Sequence, residues 1–476
     1  MKAYKFVALL AIFALIVTLG IGFAGCKSQT AETTAAETAA ETTVAETTAV
    51  AETTAAETTA GEPVTIRISM WGEAEVPGLN NWWKETAELY MKEHPNVTVE
   101  PNEIPMENIQ QEWMAAVAAG DPPDIQLMGR QEGIDAATNG DILPIEDFWN
   151  EEEVNHILPS ARRELGWDGK LWLVPEYMDP WLMVYNKKVF KDSGLDPEKP
   201  PTTWVEFMAA AEKIKNAGFI PFGMGVKDGY MNVWWLCLVG LQSLDDPSDI
   251  HQAVLGKQSF ADPKHADVWK IMDEINKKGY FNEDVLSLGM TEGNDLFYSG
   301  TVAMSMAVQP MIAAYVKELG VENVGAMLTP FPDITGKLTG TIPIPAMPLA
   351  LANAKHPDIA ADVLRFCHSQ DRVNALYEIA PGMQANDLFD PSTITDPMDK
   401  QIAEWFLAAP GYTYNWHYTP QIEGEAYVIG QELLNGSITP EEAGKKMDAA
   451  AAKWRQDNPE MVKVFERIAT EWASSN

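Results

Sequence analysis

Val64-Thr-Ile-Arg-Ile-Ser-Met70 begins an alternation of strands and helices that decides the fold class of this chain. Every second residue of this stretch is apolar, and most of those are β-branched, which predicts a strand. Residues 96–100 and 124–128 predict two further strands, and the helical spacing of residues 80–94 and 106–119 separates the three. Strands that alternate with helices in this way predict a parallel α/β sheet.

Polar and aromatic side chains directly follow the first and third predicted strands. Trp71 and Glu73 come after the first strand, and Arg130, Gln131 and Glu132 come after the third. Ligands bind outside the carboxyl ends of the strands in such sheets, so we expect both segments at one rim as candidate ligand contacts. The alternative is that Trp71 packs against the rim and that the charged side chains are solvated.

The later part of the folded region contains further helices and turns. Asp168-Gly169 is a hairpin turn between apolar flanks, and residues 183–186 predict a strand. Thr203 and Asp262 are predicted to cap the helices that follow them. Residues 382–420 are predicted to be irregular.

The first 25 residues have the pattern of an export signal. Lys2 and Lys5 precede an apolar run that ends in Ala24-Gly25-Cys26. This arrangement resembles a bacterial lipoprotein signal, so we predict a signal peptide over residues 1–25 and a lipid group on Cys26. The apolar run is also close to the ~20 residues that a membrane span needs, and a retained transmembrane helix is the alternative.

Residues 26–62 form a segment of very low complexity after the signal. The unit Ala-Glu-Thr-Thr-Ala recurs through it, and it has almost no large apolar side chains. Such a segment cannot bury enough apolar surface to offset its ordering entropy, so we predict that it is a disordered tether that starts at the lipidated Cys26. A mucin-like stalk of an adhesin would have a similar composition.

The composition excludes some classes of partner. The chain has 476 residues, and 69 Asp and Glu against 34 Lys and Arg give a formal net charge of −35. This balance disfavours nucleic acid as a partner. The 16 tryptophans are unusual, because indole rings stack well on the apolar faces of sugars, although they also pack well in cores.

The cysteines indicate neither a metal site nor a disulfide framework. Apart from Cys26 there are Cys237 and Cys367, each in an apolar segment and without metal-ligand spacing. We therefore predict two buried thiols rather than a disulfide, and no metal or other cofactor.

Several short motifs along the folded part occur in the order and spacing of one known family. They are Ala119-Gly-Asp-Pro-Pro-Asp124, Gly140-Asp-Ile-Leu-Pro144, Asp168-Gly-Lys-Leu-Trp172, Tyr185-Asn-Lys187, Pro201-Thr-Thr-Trp204, the segment 297–304, and Ser437-Ile-Thr-Pro-Glu-Glu442. Together they resemble the extracellular solute-binding protein family 1, the group that includes the maltodextrin-binding protein.

The resemblance implies an α/β fold of the periplasmic-binding-protein type, with two lobes, a hinge and a ligand cleft between the lobes. The first crossover between the lobes is expected near residues 174–175. The first lobe would then comprise residues 64–174 with 347–400, and the second would comprise residues 176–342 with 403–476.

The resemblance also implies ligand-binding residues beyond the rim. Asp179 matches a position where relatives often carry a sugar-binding carboxylate, and Glu176 is its rival. A hinge salt bridge is the alternative role for either carboxylate.

Aromatic stacking on a sugar is implied at Trp181, at one of the adjacent Trp234 and Trp235, and at Trp416. Many relatives carry a further tryptophan in a turn where this chain has Gln309, so Gln309 is expected to replace that stack with a hydrogen bond.

The function implied is a receptor that binds a carbohydrate or oligosaccharide and delivers it to the permease of an ABC importer. Such a receptor would be a monomer and not an enzyme, held on the extracellular face of the cell membrane by Cys26, or on the periplasmic side in a host with an outer membrane. A lipid anchor favours a Gram-positive host. The alternatives are a receptor for a non-sugar solute, an adhesin, and a secreted glycoside hydrolase with two carboxylates such as Asp179 and Glu176.

Overall fold

The computed structural model of the protein describes residues 62–74, 76–244, 247–329, 342–379, 381, 383–408 and 417–474. The predicted signal peptide over residues 1–25, the predicted lipidation site Cys26, the tether and the predicted ligand residue Trp416 lie outside the described residues. Within the described part, no helix is both long and apolar enough to cross a membrane.

The strands of the described part are numbered in chain order. They are β1 (Val64–Met70), β2 (Val97–Glu103), β3 (Ile125–Leu127), β4 (Ile142–Leu143), β5 (Gly166–Trp167), β6 (Lys170–Leu171), β7 (Leu173–Val174), β8 (Tyr177–Asn186), β9 (Ile220–Phe222), β10 (Val302–Val308), β11 (Val324–Met327), β12 (Ile342–Ala346), β13 (Leu349–Ala352) and β14 (Met383–Gln384).

The α-helices of the described part follow in the same order. They are α1 (Leu79–Glu93), α2 (Met106–Ala119), α3 (Arg130–Asn139), α4 (Glu151–Asn155), α5 (Pro159–Leu165), α6 (Lys187–Asp192), α7 (Trp204–Asn216), α8 (Tyr230–Ser243), α9 (Ser248–Val254), α10 (Pro263–Lys277), α11 (Met290–Tyr298), α12 (Gln309–Leu319), α13 (Pro357–Cys367), α14 (Gln370–Tyr377), α15 (Pro397–Ala408), α16 (Pro420–Leu434), α17 (Pro440–Asp457) and α18 (Pro459–Ser474).

The first large sheet has the strand order β2-β1-β3-β13-β4, and β7 pairs with β13. Its strands β1, β2 and β3 are parallel, as the opening stretch of sequence predicts. Ile66, Ile68 and Met70 are buried at alternate positions of β1 and belong to a core that α1, α3 and α13 cover. The predicted α/β sheet is therefore confirmed, with β13 added in antiparallel orientation.

The second large sheet has the order β11-β8-β10-β9, and β12 and β14 also pair with β8. A separate hydrophobic core surrounds it, built largely from α8, α10, α16 and α17. Cys237 belongs to this core and Cys367 to the first core, and the prediction of two buried thiols outside a disulfide is confirmed.

Strand β8 connects the two cores. Its first residues, Tyr177 and Met178, pack in the first core, whereas residues from Trp181 onward pack in the second. Strand β12 lies antiparallel to this half of β8, with Ala346 opposite Tyr177. A two-stranded ribbon therefore joins the two halves of the fold.

Strand β8 begins six residues before the predicted strand at 183–186. A proline inside a strand normally argues against a central position, because it lacks an N–H donor. Here Pro180 of β8 lies opposite Pro343 of β12. These two residues, which both lack an N–H donor, therefore face each other, and their missing donors fall at the same residue pair of the ladder. All ten residues of β8 are buried, so no alternation of polar and apolar residues marks the strand in the sequence.

Local predictions at turns and caps are mostly confirmed. Asp168 and Gly169 have φ values of 53° and 68° in the turn between β5 and β6. The Thr203 side chain accepts a hydrogen bond from the Glu206 N–H at the start of α7. Asp262 is different, because its carboxylate accepts from the Ser259 N–H and leaves the first turn of α10 without a side-chain cap.

Two further findings concern the C-terminal half of the chain. Residues 382–420 are not irregular throughout, because α15 lies inside that range. Ile468 of α18 packs in the first core, although the predicted division assigns its segment to the second lobe. The lobe boundaries as such stay a prediction.

Candidate ligand-binding cleft

A cavity of about 810 Å³ is lined by residues from both halves of the fold. Its polar and aromatic lining from the side of the first sheet consists of Trp71, Gln110, Gln131 and Glu132. The connecting strand β8 contributes Asp179 and Trp181. From the side of the second sheet come Lys227, Asp228, Tyr230, Glu292, Glu423 and Tyr427.

The ends of β1 and β3 bring the two predicted rim segments to this cavity. Trp71 follows the last residue of β1, and Gln131 and Glu132 lie in the first turn of α3, just after β3. Gly72 fixes the turn after Trp71, since its φ is 150° and an added Cβ would lie 2.6 Å from the Leu79 Cδ2 atom. A larger residue at Gly72 would therefore displace Trp71 or helix α1.

Aromatic rings form a continuous row along the cavity. Trp71 and Tyr230 meet edge to face with ring centroids 6.3 Å apart. Tyr230 lies 5.8 Å from Trp234, and Trp234 lies 4.6 Å from Trp181. Trp71, Tyr230 and Trp181 line the cavity, whereas Trp234 is fully buried behind Tyr230 and Trp181 and supports them.

The lining carries five carboxylates and one amine among the described residues. Three of the carboxylates accept backbone hydrogen bonds from their own lobe or strand. Asp179 accepts from the Gln309 N–H at 3.0 Å, Glu292 accepts from the Gly289 N–H at 3.0 Å, and Asp228 accepts from the N–H groups of Tyr230 and Met290.

Glu132 and Glu423 are the other two carboxylates of the lining. Burial raises the pKa of both, that of Glu423 to about 8, and the charge of Glu132 adds to the shift of Glu423. The Tyr427 hydroxyl donates to Glu423 at 3.4 Å, which is a weak contact. The cavity therefore holds two carboxyl groups whose ionisation is disfavoured by burial, and for Glu423 also by the charge of Glu132.

Gln309 lies behind the cavity and is fully buried. Its backbone N–H binds Asp179, and its side-chain amide donates to the Asp399 carboxylate. Burial raises the pKa of Asp399 to about 7. Gln309 therefore holds Asp179 in position and is not itself part of the lining, in contrast to the expected direct hydrogen bond to a ligand.

Three other predicted site residues are held away from the cavity. Glu73 accepts hydrogen bonds from the N–H groups of Gly78 and Asn80 and so caps α1. The buried Arg130 donates from Nε to the Glu164 carbonyl at 2.7 Å. Trp235 is fully buried and donates to the Val268 carbonyl at 3.0 Å. Each has a structural partner that accounts for its position.

Glu176 lies at the start of the connecting ribbon and is 4% exposed. Its backbone N–H donates to the Ala346 carbonyl at 3.2 Å, and burial raises its pKa to about 8. This is the environment of a neutral carboxyl group rather than of a salt-bridge partner. Glu176 does not line the cavity, whereas its rival Asp179 does.

Tyr230 on α8 and the contribution of α16 to the cavity were not predicted from the sequence, which indicated only Trp234 or Trp235 of α8. Tyr230 and Trp234 on α8, and Glu423 and Tyr427 on α16, are each four residues apart and therefore share one face of their helix. The signal that could have indicated them is a pair of aromatic residues at this spacing on α8 and a Glu–Tyr pair at this spacing on α16.

Residues 75–371 match the sequence model of the bacterial extracellular solute-binding proteins. The chain belongs to this family. As a member, it is a solute-binding receptor of the ABC-importer type, from a family that acts in the periplasm or outside the cell. An uncharacterized ABC transporter extracellular-binding protein of Pyrococcus horikoshii is 25% identical to this receptor over 318 residues, which is 63% of this chain and 69% of the relative.

Solved structures of this kind of receptor share the fold. A chitin oligosaccharide binding protein superposes with a TM-score of 0.72 at 23% identity, covering 83% of this chain and 99% of the other. The GacH receptor of Streptomyces glaucescens, solved unliganded and with acarbose, gives a TM-score of 0.70 at 19% identity, covering 83% and 100%. The two-lobe α/β fold with a hinge and an inter-lobe cleft is thereby confirmed for this solute-binding protein.

Proposed function

We propose that this receptor binds a carbohydrate or oligosaccharide in the cavity and delivers it to the permease of an ABC importer. The observation that carries the proposal is the row of aromatic rings along a cavity that also contains carboxylates and amides. Ring faces suit the apolar faces of sugars, and carboxylates suit paired sugar hydroxyls. Sites of this kind combine apolar walls with a few oriented polar groups.

The roles of the lining residues follow from their positions. Trp71, Trp181 and Tyr230 would contact sugar rings, and Asp179 and Gln131 would bind hydroxyl groups. Gln309 would act through Asp179, which its backbone N–H holds. The predicted roles of Glu73, Arg130, Glu176 and Trp235 as direct contacts receive no support from their positions, and Trp416 stays a prediction.

The charge of the cavity argues against an anionic ligand. One relative, the sn-glycerol-3-phosphate-binding periplasmic protein UgpB of Escherichia coli, is 31% identical over 161 residues, which cover 32% of this chain and 33% of that protein. Five carboxylates and one lysine line the cavity here, so a phosphate group would be repelled. The sugar ligands named for the structural relatives are compatible with this lining.

The lipid anchor on Cys26 belongs to the same proposal. A flexible tether of about 35 residues has an r.m.s. end-to-end distance of roughly 30–35 Å, so the receptor would stay close to a permease in the same membrane. Its effective concentration there would be high while it remained free to rotate. Replacement of Cys26 by serine is expected to release the protein from the membrane fraction.

Titration calorimetry of the full chain in detergent against a panel of mono- and oligosaccharides tests the ligand class. We expect micromolar or tighter binding of at least one oligosaccharide. Binding of a peptide or another non-sugar solute, with no response to any saccharide, would remove the carbohydrate assignment and keep the receptor.

A further inference from the structure

Glu132 and Glu423 belong to different halves of the fold and line the same cavity. Glu132 lies in the first turn of α3, after the first sheet, and Glu423 lies in the first turn of α16, whose apolar face packs in the second core. Both carboxyl groups face this one cavity, and the charge of Glu132 adds to the burial that raises the pKa of Glu423. The cleft therefore has an acidic group on each of its two sides.

The neighbouring groups do not neutralise this pair. Asp228 and Glu292 line the same side of the cavity as Glu423 and are themselves acidic. Tyr427 and Tyr418 are phenols with raised pKa values, because they are buried and near Glu423, and they stay neutral. Lys227 is the one basic side chain that the described lining contains. The cavity lining thus has five acidic side chains and one basic one.

Glu132 and Glu423 are partly buried. A partly buried carboxyl group that lacks a counter-charge is unfavourable once it ionises, and a cation placed beside it removes that cost. A bound metal ion is one candidate, but no group of three or more acidic, histidine or cysteine side chains in the described part is arranged to hold one. An ammonium group needs fewer ligands and forms charge-assisted hydrogen bonds with two carboxylates.

We propose that the ligand is a saccharide with a free amino group, whose ammonium binds between Glu132 and Glu423. This inference rests on the proposed function, because the aromatic row and Gln131 would hold the sugar rings and hydroxyls. The ammonium would also let both groups ionise, because it would lie between two carboxylates on opposite sides of the cleft. Ligand binding would thereby favour the closed cleft through a differential contact with both lobes.

A pair of oligosaccharides that differ only in charge gives the direct test. The tetramer of glucosamine carries free amines, and the tetramer of N-acetylglucosamine has the same backbone without charge. We expect the full chain in detergent to bind the first at least ~10-fold more tightly at pH 7, as charge-assisted contacts in a cleft require. Spermidine, an amine without sugar rings, is the third ligand and is expected to bind more weakly than the glucosamine tetramer.

Isosteric substitutions assign the preference to the two carboxyl groups. Glu423→Gln and Glu132→Gln are each expected to reduce the ratio of the two tetramer affinities by about 10-fold. Glu425→Gln is the matched control, because Glu425 is on the same helix but pairs with Lys446 at 3.1 Å outside the cavity lining. Glu425→Gln is expected to leave the ratio of the two tetramer affinities unchanged. Thermal melts check that each variant folds, and the two test variants lie in different lobes, so either one alone suffices.

Proton release gives a readout that a purely structural role would not change. Because the pKa of Glu423 is about 8 in the empty cleft, ammonium binding at pH 7 should displace a proton from it. The measured enthalpy should then depend on the ionisation enthalpy of the buffer, and this dependence should decrease in Glu423→Gln.

The outcomes separate this inference from the proposed function. Equal or tighter binding of the acetylated tetramer by the wild-type chain overturns the amine inference and leaves a neutral-sugar receptor. The amine inference is also overturned if the ratio of the two tetramer affinities is unchanged in both Glu423→Gln and Glu132→Gln. Spermidine as the tightest ligand, with no saccharide bound, overturns both the inference and the carbohydrate assignment.

Discussion

Trp71 and Tyr230 meet across the ligand cavity with ring centroids 6.3 Å apart and ring planes at 87°. Trp71 follows β1 of the first sheet, and Tyr230 begins α8, which packs in the second core. An edge-to-face pair of this kind contributes about 0.5–1.5 kcal/mol, so it is a modest contact between the lobes. A sugar ring that enters between them could exchange this contact for stacking on both faces.

Removal of the Trp71 indole is therefore expected to weaken saccharide binding. Trp71→Ala should lower the affinity by about 10- to 100-fold, because one stacking face of the cavity is lost. Titration calorimetry with the best oligosaccharide of the panel measures the change. Trp204→Ala is the control, since Trp204 is a partly buried tryptophan that stacks on Phe207 and does not line the cavity. An unchanged affinity in Trp71→Ala would contradict the assigned role of the aromatic row.

Asp179 and Gln309 are expected to differ in their effect on binding. Asp179→Ala removes a carboxylate from the cavity lining and should weaken binding by about 10-fold or more. Gln309→Ala keeps the backbone N–H that holds Asp179 and should weaken binding by less. Calorimetry on both variants and on the double variant measures the coupling. If both single variants lost the same binding free energy, and the double variant lost the sum of the two, Gln309 would contact the ligand directly.

The sequence predicted the first sheet well and the connecting ribbon poorly. The alternation in β1 and the helical spacing of α1 and α2 are local patterns that depend on one buried face. The first half of β8 is buried on both faces and contains Pro180, so neither alternation nor propensity marks it. Long-range packing determines such a segment.

The candidate site was predicted where it follows strand ends and missed where it depends on helix packing. Trp71 and Gln131 line the cavity, and their positions directly after strands indicated them. Asp179 also lines it, and the family resemblance implied that residue. Glu423 and Tyr427 reach the cavity only because α16 packs against α8 and α17, a contact that no local pattern encodes. Arg130, which follows β3, is instead buried and donates to the Glu164 carbonyl, a long-range contact that its position in the sequence does not reveal.

Gly72 and Gly424 should respond in opposite ways to the same substitution. Gly72→Ala places a Cβ 2.6 Å from Leu79 at a φ of 150° and is expected to destabilise the fold by about 1–3 kcal/mol. Gly424→Ala lies in helix α16 with nothing within 4 Å of the added Cβ, and it is expected to stabilise by about 0.5–1 kcal/mol. Urea unfolding measures both variants. A neutral Gly72→Ala variant would show that the turn after Trp71 relaxes freely.

The raised pKa of Glu176 should make the free energy of unfolding depend on pH. Its pKa is about 8 in the folded protein and near 4.5 when unfolded, so the folded state binds the proton more tightly. The contribution of this group is therefore fully favourable below about pH 4.5 and is lost as the pH rises towards 8. Glutamine mimics the neutral carboxyl without this loss. Glu176→Gln should therefore be more stable than the wild type, by on the order of a few kcal/mol at pH 8 and by much less at pH 5.

Urea unfolding of Glu176→Gln and the wild-type chain at pH 5 and pH 8 measures this difference. The comparison isolates one carboxyl group, because the partly buried Asp399 and Glu423, whose pKa values are also raised, are present in both proteins. Glu88→Gln is the matched control, since Glu88 is exposed on α1 and its replacement should change neither profile. If Glu176→Gln were equally destabilised at both pH values, the carboxylate of Glu176 would be ionised and paired in the folded hinge, and its assignment as a neutral buried group would be wrong.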